Sequence, residues 1–152
     1  MPTIQEFYGN NKPILCGAEY LTWEEILNKD DEWFNGCHNF VQFLYPLNKP
    51  SEYNPNAPIL VKEDIPFVKP YLLTNTIRFL AFLNTQNMIV FNHNHLRITR
   101  MLECYSLVYD NNYSIAGLLK IGYQYLNDDK DGNFDRNTLK YWLDATLYGW
   151  PI

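Results

Sequence analysis

Apolar residues in the second half of the chain recur every three or four positions, the spacing that predicts amphipathic helices. Over residues 95–109, counted at about 100° per residue, one face carries Ile98, Met101, Leu102, Tyr105, Val108 and Tyr109. Leu96 and Leu107 lie on the far side of the same helix. Because a helix that is apolar on two sides is normally surrounded by others, we expect this one to be the core helix, with Asn94 as its N-cap.

The same spacing predicts two helices further downstream. The stretch 114–127 presents one apolar face made of Ile115, Leu118, Leu119, Gly122, Tyr125 and Leu126. Asp135 can cap a last helix over 136–147. The residues that this helix directs inward are predicted to be Leu139, Trp142, Leu143 and Leu147.

The first half of the chain contains more residues that interrupt regular structure. Residues 1–20 are predicted to be irregular, because prolines and glycines punctuate them. Thr22 and Glu25 form the Thr-x-x-Glu pattern of a capping box, which predicts a short helix. A helix over 32–45 is predicted from its apolar spacing and ends at Pro46.

A long Pro/Asn-rich loop is predicted over residues 47–61, which contain three prolines and several asparagines. Pro70 suits the first turn of a helix over 70–84. The apolar residues of that helix include Leu73, Ile77, Phe79 and Leu80. With a short helical turn near Asp64, the elements total six or seven helices and little strand.

These elements predict an all-α fold, in which helices pack pairwise around one core. We expect a single domain over residues 1–152, folded as a single compact orthogonal bundle with the long Pro/Asn-rich loop. The length of 152 residues fits one domain. Apolar residues make up 47% of the chain and aromatic residues 16%, which is enough material for one core.

Charge and apolar run length narrow the expected partners. The net charge of −5 argues against broad binding to nucleic acid or to anionic membranes, which requires clustered Lys and Arg. The longest apolar runs are shorter than the roughly 20 residues that cross a bilayer. We therefore expect no nucleic acid and no membrane among the partners.

The cysteine pattern favours a reducing compartment. Cys16, Cys37 and Cys104 are widely spaced, their number is odd, and no Cys-x-x-Cys occurs. We see no signal peptide before them. The expected location is cytoplasmic or otherwise intracellular and soluble, with no targeting signal.

Three stretches resemble the conserved region of the opioid growth factor receptor family. The first is IQEFYG at Ile4–Gly9. The second is HNFVQFLYP at 38–46, followed by a Pro/Asn loop that reaches APIL at 57–60. The third is NHNHLRITRMLEC at 92–104. Together they follow the family's order over nearly the whole chain, with Phe43 where the family usually has Trp.

The resemblance implies a binding protein and supplies no catalytic residues. Vertebrate members are soluble, nucleus-associated proteins reported to bind an enkephalin peptide and to restrain growth, and they carry long C-terminal regions beyond this domain. We expect this chain to be the bare conserved core. Our leading hypothesis is a non-enzymatic module that binds a peptide or protein partner and needs no cofactor.

The candidate ligand-binding residues are His38 and Gln42 together with Asn94, Arg97 and Arg100. His38 and Gln42 lie four positions apart, which places them on one face of the predicted helix. They can bind a polar ligand or a peptide backbone, or they can hydrogen-bond the long loop and fix its path. The expected binding surface combines the loop at 47–61 with this pair and with Arg97 and Arg100.

Arg97 and Arg100 lie one helical turn apart, Arg97 bordering the apolar stripe and Arg100 pointing well away from it. With His93, Asn94 and His95 at the predicted helix N-terminus, they form the best candidate anion site. This keeps open a phosphate- or nucleotide-binding protein, or an enzyme, that uses the arginines and histidines. Salt bridges within the fold, or plain solvent exposure, are the alternatives.

A homo-oligomeric structural subunit is the third hypothesis, because aromatic residues suit interfaces.

The sequence patterns that would indicate metal binding or catalysis are weaker. The His-x-His at 93–95 has no further ligand at zinc-like spacing. Residues 127–135 imitate the first half of a calcium loop, but Thr138 stands where the bidentate Glu is required. We expect a turn that caps the last helix there, and no metal. Because no catalytic motif is present, we predict no catalytic residues.

Overall fold

The computed structural model describes residues 1–151, and these are mostly helical, as predicted. Within them, eight α-helices and one two-stranded sheet follow in this order: α1 (Ile4–Gly9), β1 (Ile14–Cys16), β2 (Glu19–Leu21), α2 (Trp23–Leu27), α3 (Asp31–Gly36), α4 (Val41–Leu44), a short 3-10 helix (Lys62–Asp64), α5 (Ile65–Leu83), α6 (His93–Val108), α7 (Asn111–Asp128) and α8 (Arg136–Thr146). The count exceeds the six or seven expected, because short helices occur in the first half.

The chain divides into two compact units, Met1–Thr85 and Gln86–Ile152, which are described separately below. The first unit contains α1 to α5 and the hairpin, and the second contains α6 to α8. The single domain over residues 1–152 and its orthogonal bundle stay predictions.

The N-terminal segment is more regular than the sequence indicated. Thr3 and Glu6 form a capping box: Thr3 Oγ1 accepts from the Glu6 amide at 3.1 Å, and Glu6 Oε1 accepts from the Thr3 amide at 2.9 Å. Phe7 and Tyr8 anchor the resulting helix α1 in the core. Glycine and proline therefore do not prevent structure here, because a cap and buried aromatics stabilise it. Thr22 forms the predicted capping box for α2.

The helix predicted over 32–45 is wrong, because the chain leaves helical geometry after Gly36 and resumes it only at Val41. The ring of Phe40 packs against Trp33 and Phe34, with both centroid distances at 4.9 Å. Glycine weakens the end of α3, and this aromatic packing fixes the path between α3 and α4. His38 and Gln42 consequently do not share a helix.

Helix α5 begins at Ile65, five residues earlier than predicted, with Pro66 in its first turn and Pro70 inside it. Its buried face carries Val68, Leu72, Asn75, Phe79, Phe82 and Leu83. Leu73 and Ile77 are exposed instead. The side chains that face the core of this unit therefore include a fully buried amide.

Asn75 is the polar centre of the first unit. Its Oδ1 accepts a hydrogen bond from Trp23 Nε1 at 2.7 Å. Its Nδ2 donates to the Tyr8 hydroxyl at 3.0 Å and to the Leu44 carbonyl at 3.1 Å. The Tyr8 hydroxyl in turn donates to the Phe43 carbonyl at 2.8 Å. One side chain thus joins α1, α2 and α4 to α5.

In the second unit α6 is the central helix, as predicted, and it packs against both α7 and α8. Its N-cap is Asn92, not Asn94, because the Asn92 side chain accepts from the Asn94 amide at 2.9 Å. Every residue from 101 to 108 is buried. Four leucines that are predicted to face inward are exposed instead. They are Leu119 and Leu126 on α7, Leu143 on α8 and Leu147 just after α8.

Replacing Asn75 with leucine tests the polar centre. We expect Asn75→Leu to lower the free energy of unfolding by about 3 kcal/mol, because Trp23 Nε1, the Tyr8 hydroxyl and the Leu44 carbonyl lose a buried partner. Urea denaturation followed by circular dichroism measures the change. Thr74→Leu, at the exposed neighbouring position, is the matched control and should shift stability by less than about 0.5 kcal/mol. Equal shifts for the two variants would contradict the assignment.

Candidate functional site

The long loop over residues 47–61 has its two ends tied together. The amide of Leu60 donates to the Leu47 carbonyl at 2.7 Å, and Leu47 forms an isolated parallel bridge with Ile59. Leu47 and Leu60 are buried, so the closure sits at the edge of the core. A loop with joined ends can hold one shape without regular structure.

Gln42 fixes the middle of this loop. Its side chain is buried on α4, and its Oε1 accepts from Asn54 Nδ2 at 3.1 Å. Asn54 continues the contact into the loop, because its own Oδ1 accepts from the Asn56 amide at 3.1 Å. This is the structural role that the sequence raised as the alternative to ligand binding. His38, by contrast, is exposed on the non-helical segment that precedes α4.

The tip of the loop presents an aromatic ring to solvent. Tyr53 is 81% exposed, and Ile59 and Val61 near the closure are about half exposed. The sequence predicts a loop here but does not single out these residues. Tyr53 lies between two stretches of turn-forming residues. No apolar period around it predicts a buried position, and these two features could have identified it as exposed.

The predicted anion site at the start of α6 is arranged differently from the expectation. Asn94 and Arg97 are buried, and Arg97 Nη1 donates to Asn94 Oδ1 at 3.2 Å. Arg100 does not point well away from the core: it is partly buried, and burial lowers its pKa to about 10. Asn94 and Arg97 are therefore engaged inside the fold, and the binding roles of these three residues stay predictions.

His95 is a buried part of the helix cap. Its Nδ1 faces the Asn92 amide at 3.0 Å and its Nε2 faces the Met88 carbonyl at 2.9 Å. We assign the proton to Nε2, because a carbonyl can only accept. The imidazole stacks between Phe91 and Trp142, with centroids at 5.1 Å and 5.8 Å. Both ring nitrogens are thus used by the backbone, and burial lowers the pKa of His95.

The calcium-like segment is a turn that caps α8, as predicted. The Asp129 carboxylate accepts from the Asn133 amide at 2.8 Å and from the Phe134 amide at 2.9 Å. Asp135 caps the helix by accepting from the Asn137 amide at 2.9 Å. Among residues 1–151 no group of three or more His, Cys, Asp or Glu side chains is arranged to hold a metal ion.

A cleft of about 330 Å³ lies beside the hairpin of the first unit. It is lined by Met1, Pro2, Lys12, Pro13, Leu15 and Tyr20. Lys12 forms an ion pair with Glu6 at 3.0 Å. Lys12 and Tyr20 are the titratable side chains of the lining, and the ammonium of Lys12 is held by this ion pair.

The pH dependence of stability tests the His95 assignment. Burial holds the pKa of His95 in the folded chain below its ordinary value of 6.5. Below about pH 6.5, His95 therefore binds more protons in the unfolded chain than in the folded one. Stability should be fully present above that pH and should fall as the pH drops towards the folded pKa. Urea denaturation at pH 7.5 and 5.5 measures this loss.

His95→Gln should remove most of the difference between the two pH values. His93→Gln, at an exposed position of the same helix turn, should keep it. The carboxyls of Glu6 and Glu25 have pKa values lowered by their capping hydrogen bonds, so they titrate below this window. Unchanged stability between pH 7.5 and 5.5 in the wild type would contradict the assignment.

Within the described residues no helix is long and apolar enough to cross a membrane. No family model, no curated protein and no solved structure matches the chain. The resemblance to the opioid growth factor receptor conserved region therefore stays a prediction.

Proposed function

We propose that the chain is a non-enzymatic module that recognises a peptide or protein partner through the loop at 47–61. The observation that carries the proposal is a loop held at its closure by Leu47 and Leu60 and in its middle by Gln42, with Tyr53 exposed at its tip. A loop that is already ordered loses less conformational freedom on binding. Tyrosine supplies apolar area and a hydroxyl, which is why it is enriched in interfaces.

The charge of the loop indicates what kind of partner it fits. Lys49 and Glu52 are the charged residues between 47 and 61, so the loop is neutral overall. Recognition through this surface therefore depends on apolar contact and hydrogen bonds rather than on a strongly charged ligand. The resemblance described above, which implies peptide binding, points in the same direction.

The phosphate-binding or enzymatic alternative has less support. It requires Arg97, Arg100, His93 and His95 to face a ligand. Of these four side chains, His95 and Arg97 are buried and hydrogen-bonded within their own unit. The helix amide at Asn94 is also taken by the Asn92 cap. No observation favours an anion at this helix start over the internal contacts.

Selection of peptide ligands against the immobilised wild-type chain, followed by calorimetric titration, tests the loop proposal. Tyr53→Ser should weaken the selected ligands by about tenfold or more, which corresponds to about 1.4 kcal/mol. Asn54→Ala should weaken them less, because it loosens the loop without removing the anchor. Tyr20→Ser is the matched control, since Tyr20 is also largely exposed in the same unit but lies outside the loop. Equal affinities for the Tyr53 and Tyr20 variants would reject the loop.

A homo-oligomeric subunit is the second candidate, and one face of α7 favours it. Leu119, Tyr123 and Leu126 follow one another at spacings of four and three and are 67%, 75% and 38% exposed. Ala116 continues the row by one step towards the N-terminus and is also exposed. Apolar residues at this spacing form a seam between helices when a partner covers them.

Light scattering over a range of concentrations tests the second candidate. The wild type should show a mass that is a multiple of the monomer mass, and Leu119→Lys should shift it towards monomer. Gln124→Lys adds the same charge on α7 away from the apolar row and should leave the assembly intact. A wild type that is monomeric at every concentration would exclude this role.

A further inference from the structure

Three tyrosine rings lie together in the second unit, where α6 ends and α7 begins. Tyr105 is on the last turn of α6, Tyr109 is the C-cap of that helix, and Tyr113 is in the first turn of α7. The rings of Tyr109 and Tyr113 are stacked, with centroids 4.5 Å apart and planes 14° apart. Tyr105 lies 5.7 Å from each of them. Tyr109 and Tyr113 are therefore the closest pair of the three.

The backbone around this pair is held on both sides. The Asp110 side chain caps α7 by accepting from the Tyr113 amide at 2.7 Å. One residue further on, the hydroxyl of Ser114 donates to the Leu102 carbonyl of α6 at 2.7 Å. These bonds fix the connection between the two helices, so the ring of Tyr113 is positioned against that of Tyr109 before any reaction.

The three rings differ in their access to solvent. Tyr113 is 49% exposed, Tyr109 is half-buried and Tyr105 is 8% exposed. A reagent in solution therefore reaches Tyr113 and the edge of its partner before it reaches Tyr105. Burial and the neighbouring Tyr113 also raise the pKa of Tyr109. The Tyr109 hydroxyl thus keeps its proton at neutral pH, and oxidation has to remove the proton together with an electron.

A second tyrosine pair, in the first unit, provides a comparison. Tyr8 and Tyr71 are stacked with centroids 5.1 Å apart and planes 27° apart. Tyr8 is only 5% exposed, and its hydroxyl donates to the Phe43 carbonyl in the core. Coupling of this pair would require the core to open. The pair at the α6–α7 connection carries no such requirement, because one of its rings is at the surface.

We propose that Tyr109 and Tyr113 are a site of oxidative modification, at which a one-electron oxidant joins the two phenols into a dityrosine within the chain. Offset-stacked rings have their nearest carbons roughly 3.5–4 Å apart, so the two radicals need little movement to meet. The inference is independent of the loop-binding proposal and of the apolar row on α7.

The coupling is balanced when a haem peroxidase and hydrogen peroxide supply the oxidant. Each phenol gives up one electron and one proton, which leaves two phenoxyl radicals and reduces one hydrogen peroxide to two waters. The carbons ortho to the two oxygens then form a C–C bond. Each ring transfers its ortho hydrogen to its oxygen, which restores both phenols. The product contains two hydrogen atoms fewer than the starting chain.

The test treats the folded chain with peroxidase and hydrogen peroxide, blocks the thiols, and maps tryptic peptides by mass spectrometry. Trypsin cuts after Arg100 and Lys120, so all three tyrosines lie in one peptide, 101–120. The expected product is this single peptide lighter by two hydrogens, with dityrosine fluorescence and no fragments from breaks between Tyr109 and Tyr113. Dilution of the chain should leave the modified fraction unchanged, because the reaction is intramolecular.

Substitutions that keep the ring but remove the hydroxyl supply the controls. Tyr109→Phe and Tyr113→Phe should each abolish the loss of two hydrogens from peptide 101–120. Tyr105→Phe should keep it. Tyr123→Phe is the matched control on α7, since Tyr123 is 75% exposed but lies outside the cluster. A free tyrosine derivative in a parallel reaction shows that the oxidant is active.

Three results on the wild-type chain would overturn the proposal. The first is a peptide 101–120 that loses no hydrogen while the free tyrosine derivative is coupled. The second is a link whose fragments place it on Tyr105. The third is dityrosine that joins two chains only, with a yield that falls on dilution. Because all three are read on the wild type, they decide the matter even if a phenylalanine variant fails to fold.

Discussion

Each unit of the fold depends on the rule that a polar side chain buried on a long helix must keep its hydrogen bonds. In the first unit this side chain is Asn75 on α5, whose amide is shared by an indole, a phenol and a backbone carbonyl. In the second it is His95 on α6, whose two nitrogens meet the Asn92 amide and the Met88 carbonyl. Apolar packing tolerates small shifts, but these bonds allow only one arrangement of the segments that they join.

The stretches that carry the family resemblance supply this buried framework. Tyr8 belongs to the first stretch, the Phe43 and Leu44 carbonyls belong to the second, and His95 belongs to the third. Their polar groups are directed into the fold, so these residues hold its framework together. Function has to be sought in what the framework leaves exposed, which includes the loop tip at Tyr53 and the apolar row on α7.

The candidate site shows which side-chain roles can be inferred from the sequence without the fold. The residue types at the start of α6 suit an anion site, and nothing in the sequence separates that use from an internal one. The structure directs Asn94, His95 and Arg97 inward because the chain before α6 returns over the helix start and caps it through Asn92. Similarly, Gln42 was identified as a polar group near the loop, but only the fold shows that Asn54 is its partner.

The sequence by itself determined the elements whose signals lie within a few residues of one another. The long helices α5 to α8, the caps at Thr22 and Asp135 and the loop after Pro46 follow from apolar period, capping side chains and proline. Only tertiary structure decided the break between α3 and α4 and the exposure of Leu73 and Leu119. The physical reason is that a helix can be specified by its own residues, whereas the face that it buries depends on segments far away in the chain.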